Sequence, residues 1–166
     1  MCTMIITSSV YVNSDLTVLK DPDVREAQYV DSILFYIRSK AIRNIVVCDN
    51  SGFDHAKNER LAAEAKKYGK DIEFLSFVGD KDKIKSQGKG YGEGQIMEYT
   101  FRASRLLGKE ENFFKVTGRV IVLNIDRIAS RVKPGHTYFQ KMTMNPLNKL
   151  YKFNVDTRLY YCSRAF

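Results

Sequence analysis

The stretch Asn44-Ile-Val-Val-Cys-Asp-Asn-Ser-Gly52 decides how this chain folds. Residues Ile45 to Cys48 are wholly apolar, without the in-and-out alternation of a half-exposed strand, and the run stops abruptly at Asp49, Asn50, Ser51 and Gly52. A short apolar run bounded by turn residues reads as a strand buried on both faces, as in a parallel sheet, meeting its carboxyl-terminal loop. Upstream, Asp21 and Pro22 fit the cap and first position of a helix, and Val30, Ile33, Leu34 and Ile37 recur at helical spacing. Together they predict an amphipathic helix over 22–41. Before it, Met4 to Val12 is rich in β-branched residues and predicts a first strand.

Downstream, His55 to Tyr68 is rich in Ala, Glu and Lys and predicts a helix closed by Gly69. Asp71 to Gly79 predicts a third strand, Asp80 to Gly92 a lysine- and glycine-rich loop, and Glu93 to Leu107 a helix closed by Gly108. Asn112 to Arg119 predicts a fourth strand ending in a turn, and Asn124 to Arg131 a short helix. From Lys133 the pattern changes to short strands, His136 to Met142 and Tyr151 to Cys162, around a turn at Asn145-Pro146-Leu147-Asn148. Alternation of this kind implies an α/β fold. The expected architecture is a mostly parallel, Rossmann-like sheet flanked by helices, with a short mixed or antiparallel C-terminal part, in one domain over 1–166. The apolar ending, Leu159 to Phe166, fits either a docked terminus or a piece of a longer protein.

With 44% hydrophobic and 28% charged residues, the composition is that of a globular chain. No apolar run approaches the roughly 20 residues that span a bilayer, and the N-terminus lacks the basic region of a signal peptide. Cys2, Cys48 and Cys162 lie far apart in apolar surroundings, and His55 and His136 are isolated. That spacing disfavours a metal site and points to a reducing, cytoplasmic setting. A formal charge of +8 implies attraction to polyanions: nucleotide phosphates, nucleic acid or an anionic membrane face.

Ligands of open parallel sheets bind beyond the carboxyl ends of the strands, so the loops there are the candidate sites. Thr7, Ser8 and Ser9 are small hydroxyl residues that allow a base or ribose to approach; a strand simply ending in polar residues reads the same way. Asp49 and Asn50 could accept bonds from ribose or base, or form an Asx turn capping the next helix. In Gly88-Lys89-Gly90-Tyr91-Gly92-Glu93-Gly94, glycine at every second position suggests positive φ angles or close backbone contact with a ligand. Lys81, Lys83, Lys85 and Lys89 add positive charge near a helix N-terminus, which favours anions. The pattern is neither a P-loop nor the dinucleotide glycine fingerprint, and a solvated loop is the alternative. Lys115 and Arg119 flank the turn after the fourth strand and could both approach a diphosphate, or be surface charges beside a hairpin. Asp156 and Arg158 interrupt an apolar run and could form a mutual ion pair.

Val47 to Gly52, Gly88 to Gly94, Phe114-Lys-Val-Thr-Gly-Arg119 and Asp156-Thr-Arg158 resemble, in order, stretches of bacterial capsule- and lipopolysaccharide-type glycosyltransferases with a GT-A-like fold. The resemblance implies a nucleotide-sugar donor and transfer to a glycan or lipid-linked acceptor in polysaccharide biosynthesis, at the inner face of an anionic membrane. It implies that Thr7, Ser8 and Asp49 hold the nucleoside, and that Gly92 and Glu93 lie beside the sugar and phosphates. Glu93 and Asp156 are the candidate carboxylates for deprotonating the acceptor. The chain departs from the family where an Asp-x-Asp motif would bind Mn²⁺ or Mg²⁺, because Lys115 to Arg119 holds no carboxylate. The expectation is therefore that Lys115 and Arg119 neutralise the leaving diphosphate without a metal. The rival reading is a basic nucleotide- or nucleic-acid-binding module without catalysis. Sparse interleaving of basic and aromatic residues disfavours nucleic acid.

Overall fold

In the computed structural model, which describes residues 2–12, 17–107, 112–140 and 156–163, the deciding run forms strand β2 (Ile42–Asp49). It lies between β1 (Cys2–Ser8) and β3 (Asp71–Ser76), parallel to both, and β4 (Asn112–Thr117) runs parallel to β1 on its other side. The sheet is completed by β6 (Asp156–Ser163), antiparallel to β4, and β5 (Tyr138–Gln140), antiparallel to β6. The six-stranded order is therefore β3-β2-β1-β4-β6-β5. The fold is α/β with a mixed, mostly parallel sheet flanked by helices.

Alternation along each strand sends side chains to two helical layers. Met4, Ile6, Ile45, Val47, Phe114 and Val116 pack on one face with Ile33, Leu34 and Ile37 of α1 (Pro22–Arg38). Leu61 of α2 (Glu59–Lys67) and Ile125 of α5 (Ile125–Ala129) join the same layer. On the other face, Ile5 and Phe113 pack with Leu107 and with Met97 of α4 (Lys89–Ala103). Each fully buried Ile, Val or Phe stabilises the fold by about 1.5–3 kcal/mol, so this double layer supplies the main driving force. No helix among the described residues is long and apolar enough to cross a membrane.

Asp21 caps α1 by accepting from the amides of Asp23 and Val24, with Pro22 at the first position. The helix stops at Arg38, short of the expected residue 41, because Asp126 of α5 captures the Ser39 hydroxyl and the amides of Lys40 and Ala41. The helix expected over 55–68 is split. Asp54 caps a 3-10 turn at His55–Lys57, and α2 begins only at Glu59.

The expected loop over 80–92 is a correction. It is helical: α3 (Lys81–Gln87), capped by Asp80, is followed directly by α4 from Lys89. Among the seven-residue glycine run, only Gly88, at φ +87°, is left-handed, and it forms the joint between the two helices. Gly90, Gly92 and Gly94 lie inside α4, where glycine costs about 1 kcal/mol relative to alanine. At Gly92 the reason is contact: a Cβ would come within 3.3 Å of Ile84 and of the Asn50 amide. Close packing of α4 on α3 and on the loop after β2 overrides local preference. The closure at Gly108, the turn at Asn145–Asn148, the 151–155 part of the last predicted strand and the terminal residues 164–166 lie outside the described residues.

Candidate functional site

β1 is flanked by β2 and β4, whose connections leave it in opposite directions, so the topological switch point lies beyond the carboxyl ends of β1 and β4. Ser8, Asp49 and Thr117 end the strands there.

Asp49 is fully buried and its two oxygens accept five hydrogen bonds. Oδ2 takes the Ser8 hydroxyl at 2.7 Å and the Val10 amide at 3.0 Å. Oδ1 takes the Ser51 amide and hydroxyl and the Phe53 amide. This carboxylate thereby ties the loop after β1 to the loop after β2. Ser8 is buried beside it at 1% exposure, while Thr7, at 4%, points to the other face of the sheet and donates to the Val116 carbonyl. The three residues read as nucleoside ligands are thus all buried, and Ser8 and Asp49 hold the crevice wall. The Asx turn is realised in the bond that Asp49 accepts from the Ser51 amide, but the helix-capping part is not, because Asp54 caps the next turn.

His55, absent from the sequence-derived site, joins this network. Its Nε2 lies 2.8 Å from Ser8 Oγ and 4.0 Å from Asp49 Oδ2. Because the single Ser8 proton goes to Asp49, the neutral imidazole carries its proton on Nε2 and donates it to Ser8. Nδ1 is then a bare lone pair, buried and without a hydrogen-bond partner among the described residues. Burial lowers the His55 pKa, opposed by the nearby charges of Asp49 and Asp54. A serine whose proton points to the aspartate is not activated as a nucleophile, so this trio is a structural relay.

The second cluster lies on the opposite face of the sheet. Lys115, in the middle of β4, is fully buried and contacts the Glu93 carboxylate on α4. Its ammonium also donates to Thr117 Oγ1 at 3.2 Å and to the Thr157 carbonyl at 2.7 Å, and stands 5.6 Å over the Tyr160 ring. Burial lowers the Lys115 pKa, while Glu93 and Asp156 pull it back up. Glu93 accepts from Thr117 through Oε1 and from Thr157 through Oε2, and its side chain keeps 25% exposure. One carboxylate, held on three sides, therefore faces the crevice.

Lys115 and Arg119 do not converge, which corrects their pairing. Strand alternation and the turn separate them. Lys115 points toward α4, whereas Arg119 is exposed and donates to Gln28 Oε1 of α1 at 2.9 Å. Gly118 makes that turn possible, since a Cβ would overlap the Thr7 carbonyl and come within 2.7 Å of the Tyr29 ring. Arg119 raises the local positive potential at Arg25, a buried guanidinium that donates to the carbonyls of Ser9, Val10 and Leu19 and to Tyr29. On the α1 side, Arg119 is thus the exposed cation and Arg25 lies buried behind it.

Asp156 is gripped by Arg158 through both oxygens, and these bonds hold its carboxyl down at about 2. So low a value makes it a weak proton acceptor near neutrality. Lys89 and Gly90 sit exposed in the first turn of α4. Asn50 bridges to that helix through its amide, which donates to the Gly92 carbonyl at 3.2 Å.

Among the described residues, no group of three or more His, Cys, Asp and Glu could hold a metal ion. A divalent cation needs several oxygen ligands, and Glu93 already has an ammonium against it. Among the described residues, the donor set around Glu93 does not fit Mn²⁺ or Mg²⁺. The signal for His55 was its place six residues after the strand-ending acid Asp49 and two after Phe53; that for Arg25 was a cation in the first turn of a helix following β1. No protein-family description matches the chain, and no curated protein matches it in sequence.

Proposed function

We propose that the chain binds a nucleotide sugar at the carboxyl edge of β1, β2 and β4 and transfers the sugar to a glycan or lipid-linked acceptor. The observation that carries this reading is convergence. Four short stretches, spread from Val47 to Arg158, meet at one edge of the sheet through Asn50–Gly92 and through Glu93 with Lys115, Thr117 and Thr157. These are the stretches that resemble the transferases. In this reading Glu93, oriented by Lys115 and the two threonines, accepts the proton of the acceptor hydroxyl as its oxygen attacks the anomeric carbon and the nucleoside diphosphate leaves. Arg119, with Arg25 behind it, faces the leaving phosphates, where fixed positive charge stabilises the charge that develops. Asp156 positions Arg158 instead of acting as base. The chain's +8 charge suits an acceptor presented at an anionic membrane face.

Calorimetric titration with UDP, GDP and CMP, each in EDTA and in Mn²⁺, tests the proposal. Selective micromolar binding of one nucleotide that survives EDTA is expected. Absence of binding by all three would overturn the reading, and binding only with Mn²⁺ would overturn its metal-free form.

A further inference from the structure

Tyr11 and Phe53 leave the ends of adjacent strands β1 and β2 and meet edge to face, with ring centroids 5.5 Å apart and planes at 67°. Tyr11 is 55% exposed, so its ring contributes little to the core. Yet both segments are fixed by one buried carboxylate. Asp49 accepts the Phe53 amide directly, and it holds the Ser51 hydroxyl that in turn accepts the Tyr11 amide at 3.0 Å. An exposed Tyr11 ring held against a half-buried Phe53 offers a stacking surface that needs little further ordering when a flat ring arrives.

Phe53 also forms one wall of a depression of about 380 Å³, shared with Glu26, Asp54, Lys57, Asn58 and Glu59. That volume lies near the small end of the roughly 300–1,000 Å³ typical of ligand sites. Three carboxylates and an amide against one lysine make its lining rich in hydrogen-bond acceptors and net negative. Phosphate is repelled there, whereas exocyclic amino groups and ribose hydroxyls are complemented. Apart from Lys57, the cations lie farther along: ring contacts run from Phe53 to His55 and on to Tyr29, over which Arg25 sits, with Arg119 beyond. The crevice is therefore electrically polar, acidic at the aromatic end and basic at the turn after β4.

We infer that Tyr11, Phe53 and the depression beside them form the nucleoside end of the donor site, selective for a base with an exocyclic amino group (cytosine, guanine or adenine) over uracil. Asp49 acts there as a positioning residue for the two rings. The inference rests on the nucleotide-sugar reading above and adds the identity and orientation of the bound nucleotide.

Titration of the full chain with CMP, GMP, UMP and inorganic pyrophosphate, repeated on Tyr11→Ala and Phe53→Leu, tests it. CMP or GMP is expected to bind more tightly than UMP. Each variant is expected to weaken that nucleotide at least about tenfold, in the range of one lost base–aromatic stack, and to leave pyrophosphate binding unchanged. The exposed Tyr11→Ala carries the test alone if Phe53→Leu loses its circular dichroism signal. UMP binding tightest would overturn the base selectivity, and unchanged nucleotide affinity in the variants would overturn the site. Failure of every nucleotide to bind the parent chain would instead overturn the reading on which the inference rests.

Discussion

His55 is a neutral imidazole held at 2% exposure, with one nitrogen bonded to Ser8 and the other unpartnered among the described residues. Burial lowers its folded-state pKa below the ordinary value of 6.5, so the unfolded chain binds the proton more readily. The sign follows: this residue's contribution is intact above pH 6.5 and is lost as the pH falls from there toward the folded pKa. Urea midpoints measured from pH 7.5 to 5 are expected to drop more steeply for the parent chain than for His55→Gln. Parallel curves would contradict the assignment. The Lys115–Glu93 pair has its own asymmetry, because Lys115 is fully buried and Glu93 keeps 25% side-chain exposure. Glu93→Ala leaves a buried ammonium without its counter-charge and is expected to cost about 3–5 kcal/mol. Lys115→Met fills similar space and leaves a carboxylate that still has two threonine donors and water, so its cost in chemical denaturation should be clearly smaller. At this scale sequence identified chemically active residue types, Asp49, Glu93 and Lys115 among them, but not their partners. Whether Lys115 faces a phosphate or a glutamate depends on which side of β4 meets α4, and that is fixed by contacts 22 residues apart in the chain.

At the scale of elements, periodicity and caps located β1 to β4, α1 and the antiparallel strands near the C-terminus. Beyond the early end of α1 and the split of the helix expected over 55–68, the main failure was at 80–92, where three glycines within a helix oppose local propensity and the packing of α4 on α3 and on the loop after β2 stabilises the helical state. The backbone assignments at the glycines can be tested position by position. Gly90 and Gly94 have no atoms within 4 Å of an added Cβ and no positive φ. Gly90→Ala and Gly94→Ala are each expected to raise stability by about 0.5–1 kcal/mol, as in an exposed helix interior. Gly118→Ala should lower it by about 2–3 kcal/mol, because the methyl group meets the Thr7 backbone and the Tyr29 ring. Thermal midpoints that do not rise for Gly90→Ala and Gly94→Ala would contradict the helical assignment of the glycine run, and an unchanged midpoint for Gly118→Ala would contradict the tight turn after β4. Tyr36 and Ser32 of α1 add to the rigidity of the same turn by bonding the carbonyls of Val120 and Gly118.

For the whole molecule, the β3-β2-β1-β4 order brings the loops after β1, β2 and β4 to one edge and separates two kinds of surface there. Arg25 and Arg119 lie on the α1 side of β4, the Glu93–Lys115 cluster on the α4 side, and the aromatic pair beyond β2. The sheet class was legible because buried parallel strands write themselves as apolar runs ending in turn residues. The distribution of charge around its edge was not, since it depends on which loops face each other across the switch point. The central claim is that this edge binds the nucleotide, and amide chemical-shift mapping during titration with UDP, GDP or CMP tests it most directly. Shifts are expected to concentrate at residues 9–12, 49–53, 92–93 and 117–119. Shifts confined to the opposite edge, around Arg43, Asp71 and Asn112, or spread evenly over the basic surface, would contradict the claim.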